Sequence, residues 1–136
     1  MRLPISIVDA FTRERFRGNP AAVVQLPQWL PRALLQSIAH ENNLSETAFL
    51  VREADGAFAI RWFSPATEIA FCGHAALASA HVIARERQAP FPITLRAATV
   101  GDLRIVRCAD GEGFEMDFPQ LPAQAQATPP AALLDG

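Results

Sequence analysis

The chain of 136 residues has no lysine: all 12 basic side chains are arginine, scattered from Arg2 to Arg107 rather than gathered into a patch. With 14 acidic residues against them the net charge is −2, which excludes the basic stripe of a nucleic-acid-binding protein and the charge excess of a disordered one. Cysteine is equally scarce. Cys72 and Cys108 are too few for a disulfide framework and fall in no CxxC or Cys/His metal spacing, so two reduced thiols and a reducing compartment are expected. No run approaches the ~18 apolar residues of a membrane span, and Asp9 interrupts the first apolar stretch too early for a secretory leader. The expectation is a cytoplasmic globular protein with no membrane and no nucleic-acid partner, of a length that buries about two-thirds of its unfolded surface in one core.

What is present is apolar patterning broken by turn residues. Residues 3–11 read as a buried strand and 21–26 as a second, with Gly18-Asn19-Pro20 between them as turn chemistry, because Gly and Asn tolerate positive φ. Pro31 suits the first turn of a helix whose apolar stripe is Leu30, Leu34 and Ile38, with Leu35 and Ala39 beside it and Arg32 and Glu41 on its outer side. That helix should stop near Asn42-Asn43. Residues 47–53 and 57–64 form the best hairpin, turning at Ala54-Asp55-Gly56, with Phe58, Ile60 and Trp62 alternating onto one face. A loop then leads to Cys72-Gly73-His74 and an alanine-rich helix over 75–87, in which Ala76, Ala80 and Ile83 share a face. Residues 93–97, 102–108 and 114–118 read as three more strands.

The pattern ββαββαβββ, without any nucleotide-binding glycine motif, predicts an α+β fold: a mostly antiparallel sheet wrapped around a central helix, the second one. The domain spans 1–118. From Pro119 onward 12 of 18 residues are Pro, Ala or Gln, which reads as a linker or tail over 119–136.

Chemistry has few places to sit. Glu46 lies between apolar Leu44 and Ala48 in the loop from the first helix to a strand, where a carboxylate can take and return a proton; spacing alone favours an exposed strand-edge Glu instead. Cys72-Gly73-His74 precedes a helix, whose free N–H groups and dipole suit a carboxylate or a developing oxyanion. There Gly73 lets the backbone approach a ligand and His74 can donate or move a proton, although an ordinary helix start has the same pattern. Cys72 at a helix N-terminus is either a lowered-pKa thiolate base or, more commonly, a buried inert thiol. Glu68 is a loop carboxylate suited to binding backbone or Arg61, His40 and His81 read as surface histidines, and Asp9 as a turn former.

Val8-Asp9-Ala10-Phe11, the run from Phe16 through Arg17-Gly18-Asn19-Pro20 to Val23, Asn43-Leu44-Ser45-Glu46-Thr47-Ala48-Phe49, Arg61-Trp62-Phe63-Ser64-Pro65, Glu68 and Cys72-Gly73-His74-Ala75-Ala76-Leu77-Ala78 together resemble, in order and spacing, the PhzF-like phenazine-biosynthesis isomerase family. The resemblance covers roughly residues 3–118, the first of two similar halves in that family. It implies one half of a diaminopimelate epimerase-like fold, with the active site in the cleft between halves. It implies Glu46 as the catalytic proton carrier and Ser45, Gly73 and His74 as binders of a small-molecule carboxylate substrate, with no cofactor and no metal. The Asp and Gly-Ser elements of the second half have no counterpart here. An isolated half suggests a homodimer or a separately encoded second half as partner, and apolar surface uncovered near Phe63, Ile69 and Phe71. Two alternatives stay open: a non-catalytic binding or assembly module, and a two-thiol epimerase using Cys72.

Overall fold

A computed structural model describes residues 2–86 and 89–120. Ten elements follow one another: β1 (Ile5–Ala10), β2 (Asn19–Leu26), α1 (Arg32–Asn42), β3 (Glu46–Arg52), β4 (Phe58–Phe63), β5 (Glu68–Ile69), α2 (Gly73–Arg85), β6 (Ile93–Ala97), β7 (Gly101–Arg107) and β8 (Phe114–Asp117). The expected 119–136 tail lies almost wholly outside the described residues, as does the last residue expected of the second helix. No described helix is long and apolar enough to cross a membrane.

The strands form one sheet in the order β1-β2-β3-β4-β6-β7-β8, with β5 paired to the far end of β4. Neighbours are antiparallel except β2–β3 and β4–β6, so the sheet is mixed but mostly antiparallel. Each strand alternates its side chains between two faces. One face carries Ala21 and Val23, Ala48 and Leu50, Phe58, Ile60 and Trp62, Ile93 and Leu95, Leu103 and Ile105, and it packs around α2. The small side chains Ala75, Ala76, Ala78, Ser79 and Ala80 are buried there, so α2 is the centre of the core, as its composition predicts. The opposite face offers Val24, Leu26, Phe49 and Phe63 to α1.

Four details depart from the sequence reading. Asn19 and Pro20 belong to β2, and the neighbouring Gly18 has no positive φ; it is required instead because a Cβ there would lie 2.4 Å from the Ala10 carbonyl oxygen. The buried stripe of α1 is Leu35 and Ala39, while Leu34 is exposed, because the sheet face and not the helix alone decides which side is covered. Arg32 is not merely outward: with Gln36 and His40, one turn apart, it reaches over the segment 64–68, Gln36 donating to the Ser64 carbonyl at 2.9 Å. Phe63 is fully buried, edge-on to Phe49 at 5.5 Å, so it contributes nothing to an uncovered surface. Among the described residues the exposed large apolar side chains are Ile5 and Ile7 of β1, Phe11 and Phe16 of the β1–β2 loop, Trp29, Leu34 and Phe118.

Glu68 opens β5 and accepts from Arg61 at 2.6 and 2.8 Å and from Arg32 at 2.8 Å, joining β4, β5 and α1. Arg61, and then Arg32, hold its carboxyl below the usual range. Its contribution is therefore complete above the ordinary carboxylate range and is lost as acid protonates it. Glu68→Gln is expected to lower unfolding stability by about 2 kcal/mol at neutral pH, and by less as pH falls into the acid range. Urea denaturation of both proteins across that range checks this; an equal gap at every pH would defeat it.

Candidate functional site

The site lies where the β2–β3 parallel pair begins and α2 starts. Asn43 ends α1 in the left-handed conformation (φ 50°), its N–H bonded to the Ala39 carbonyl at 3.2 Å, and this turns the chain sharply into β3. Ser45 follows, exposed, its hydroxyl reaching the Pro20 carbonyl at 3.4 Å. Glu46, paired in register with Ala21, opens the strand with its side chain on the α2 face. The same end of the sheet carries the β1–β2 loop, since Ala10 pairs with Asn19. Asp9 fixes that loop by accepting the Phe16 N–H at 2.8 Å. Phe11 and Phe16 both have positive φ there, a strained backbone for aromatic residues, and are 75% and 93% exposed.

Cys72 is the N-cap of α2, extended at φ −143°, and its carbonyl accepts the Ala76 N–H at 3.0 Å. Its thiol makes no well-formed capping hydrogen bond as Ser or Asp would, and the N–H groups of the first turn, without intrahelical acceptors, lie at the positive end of the helix dipole. Of the four expected site residues besides Ser45, the structure brings Glu46, Cys72 and His74 together. His74 Nε2 lies 3.2 Å from Glu46 Oε2, and His74 Nδ1 lies 3.3 Å from Cys72 Sγ, so the imidazole bridges carboxylate and thiol. Glu46 Oε2 and His74 Nε2 are buried and face each other without a well-formed hydrogen bond to any described group. The carboxylate has no arginine in ion-pair contact among the described residues. Gly73 completes the corner. A Cβ added to it would approach Met116 Cε and Phe71 Cζ no closer than 3.9 Å, so packing does not demand glycine there.

The rest of the wall was not picked out as a site from sequence. Phe71 stands edge-on to Trp62 at 5.8 Å and tilted against Phe118 at 5.4 Å, with Met116 beside it. The signal was the alternation of Phe114, Met116 and Phe118 in the last strand, which places an apolar row beside the helix start. Of the other candidates, Glu68 is held by its two arginines, and His40 and His81 are exposed.

Burial decides the state of Cys72. Desolvation pushes its thiol up to about 11, the Glu46 charge adds to the rise, and the backbone N–H groups of Ala75 and His74 only partly oppose it. This argues for the buried-thiol alternative over the thiolate base: the helix terminus favours the anion, but loss of water outweighs it. Cys108 follows β7 next to Gly113, and both cysteines are free thiols. In the native chain at neutral pH, iodoacetamide is expected to spare Cys72, and its alkylation should rise steeply only as pH approaches 11. Peptide mass mapping against the urea-unfolded chain reads this, and rapid modification of native Cys72 at pH 7 would contradict it.

Comparison with known proteins adds family context. A family model described as phenazine biosynthesis-like protein, PhzC-PhzF, matches residues 8–134. Over 133 residues the sequence is 45% identical to an uncharacterized isomerase of Pseudomonas aeruginosa, covering 98% of this chain and 50% of that protein. The crystal structure of a PhzF-family phenazine biosynthesis protein from Enterococcus faecalis superposes with a TM-score of 0.75 at 46% identity, over 80% of this chain and 42% of that one. A predicted epimerase of Pseudomonas aeruginosa gives 0.76 at 31% identity, over 97% and 47%. The chain spans about half the length of the relatives it matches, and its fold is that of the matching half of PhzF-type and epimerase-like structures.

Proposed function

The chain belongs to the phenazine biosynthesis-like PhzC-PhzF family, and from that premise we propose that it carries the acid/base side of an isomerase acting on a small carboxylate-bearing metabolite. The observation that carries this reading is the pairing of Glu46 with His74 at 3.2 Å, both atoms lacking other partners, beside the uncapped start of α2. The substrate carboxylate lies against the N–H groups of Gly73 and His74, where the helix dipole favours negative charge. Glu46 takes the proton from the carbon next to that carboxylate, and the C–H electron pair moves into the adjoining π system. The same carboxyl then returns the proton to another carbon as the double bond shifts, so atoms and charge balance without an external reductant or oxidant. His74, between Glu46 and Cys72, orients the carboxylate and follows its change of charge. Ser45, exposed before β3, turns its hydroxyl from the Pro20 carbonyl to the substrate in this reading. The aromatic wall of Phe71 and Phe118 keeps water from the carbanion-like intermediate.

A second polypeptide completes the cleft in this reading, either a separately encoded second half or a second copy of the chain. The exposed aromatic side chains of Phe11 and Phe16 in the β1–β2 loop and of Phe118 against Phe71 support it, since exposed apolar groups beside the site suit a partner surface. The non-catalytic binding module is the competing reading. Mixing the chain with the C-terminal half of the Pseudomonas aeruginosa isomerase, and screening small carboxylates in deuterium oxide, separates them. Deuterium incorporation beside the carboxylate by the mixture is expected. Exchange by the intact relative but none by a stably associated mixture would favour the binding module.

A further inference from the structure

We propose that Glu46, Cys72 and His74 form a binding site for a thiophilic divalent cation, Zn2+ by preference, and that loading it silences the acid/base pair. The three side chains supply one oxygen, one sulfur and one nitrogen donor, all lying within 4.8 Å of one another. That mixture is one zinc accepts. Bond lengths of about 2.0–2.3 Å put the edges of a tetrahedral zinc site at about 3.3–3.7 Å; the His74 ring now stands between its partners, Nε2 3.2 Å from Glu46 and Nδ1 3.3 Å from Cys72, and only one of these nitrogens can bind the ion. A turn of the imidazole that brings one nitrogen between the Glu46 oxygen and the Cys72 sulfur, drawing in donors now spread over as much as 4.8 Å, completes the set.

An independent feature points to a ligand. Glu46 Oε2 and His74 Nε2 are shielded from solvent yet make no well-formed hydrogen bond, a costly condition for two polar atoms that an ion would relieve. No arginine contacts Glu46 among the described residues, and Arg61, paired with Phe49 on the α1 face, is held there with Arg32 by Glu68. The side chains of Glu46 and His74 keep 19% and 10% exposure, so an ion can enter and a fourth position remains for water or an anion. On binding, the Cys72 S–H bond breaks, a Zn–S bond forms and the proton passes to solvent; the neutral imidazole and one carboxylate oxygen donate without change of oxidation state. Glu46, its charge neutralised by the cation, is then too weak a base to take the carbon-bound proton. This silencing rests on the isomerase reading above, whereas the binding does not.

Calorimetric titration of the whole chain with Zn2+ should give one site and release of about one proton, read from its dependence on buffer ionisation heat. Co2+ should produce a sulfur-to-metal charge-transfer band that persists in Cys108→Ser and vanishes in Cys72→Ser. Glu46→Gln and His74→Gln should weaken uptake by more than the roughly 10- to 100-fold that loss of a supporting group causes. X-ray absorption on the zinc-loaded wild-type chain, which needs no variant to fold, should count one sulfur. Absence of saturable uptake, no sulfur in the shell, or a cobalt band that survives Cys72→Ser would overturn the site. Since these readouts use no substrate, their failure is separable from failure of the isomerase reading. In an active two-half enzyme Zn2+ should stop exchange and a chelator restore it; full exchange by the zinc-loaded protein would overturn the silencing.

Discussion

Glu46→Gln is expected to reduce solvent-deuterium exchange into substrate by about 100- to 10,000-fold in any assembly that contains this half, while substrate affinity changes little. The amide keeps the shape of the carboxyl and still faces His74, but it neither accepts nor delivers a proton at neutral pH. Separating turnover from binding is what makes the result informative. If Glu46 were only a structural partner of His74, the substitution would loosen the loop and raise KM and unfolding together. If it carries the proton, kcat falls alone. His74→Gln should lower the rate too, through loss of the ring at Glu46, but should leave carboxylate binding at the helix start in place because its backbone N–H survives the substitution. An exchange rate for Glu46→Gln within threefold of the parent would remove Glu46 from the chemistry. The outcome is read by mass spectrometry of the substrate, with a thermal unfolding curve of the same preparation as the control for folding.

How much of this could be read from sequence follows from the range over which each feature is determined. The β3–β4 hairpin was legible because strict alternation of Phe58, Ile60 and Trp62 and the Asp55-Gly56 turn act within a few residues, and all three side chains do share the α2 face. The centrality of α2 was legible because a helix apolar on most of its circumference has no side to give to water. The short β5 was not: two residues carry no periodicity, and it exists because Phe63 pairs with Glu68 and two arginines anchor the carboxylate. The buried side of α1 was misassigned because Leu34 and Leu35 both fit an apolar stripe, and only the sheet's Val24, Phe49 and Phe63 choose between them. At the site, each motif was visible locally, but their meeting depends on the parallel β2–β3 register and on α2 crossing that pair, which no local pattern encodes. The state of Cys72 was open for the same reason. Its helix position is written in the sequence and its burial is not.

Gly18 and Gly73 flank the same end of the sheet, and their alanine variants are expected to part company. At Gly18 the new Cβ would stand 2.4 Å from the Ala10 carbonyl oxygen, 2.6 Å from Thr12 Cγ2 and 2.9 Å from Asp9 Cβ. A side-chain methyl can swing aside, but the carbonyl belongs to β1, whose register with β2 ends in the Ala10–Asn19 pair. The clash therefore has to open the loop, break the Asp9–Phe16 hydrogen bond and release the first strand pair. Gly18→Ala should cost about 3 kcal/mol or more, at the upper end for overpacking because the obstacle is backbone. Gly73→Ala meets nothing nearer than 3.9 Å and stands in the first turn of α2 with no positive φ, so alanine should leave stability unchanged or raise it by up to about 1 kcal/mol. What it should lose is the space over the helix N–H groups, and with it affinity for a carboxylate ligand. Urea midpoints of the two variants, with carboxylate binding measured on Gly73→Ala, test the pair together. Equal destabilisation by both would mean that Gly73 serves packing after all, and a Gly18→Ala protein as stable as the parent would mean that the β1–β2 loop yields far more easily than its contacts imply.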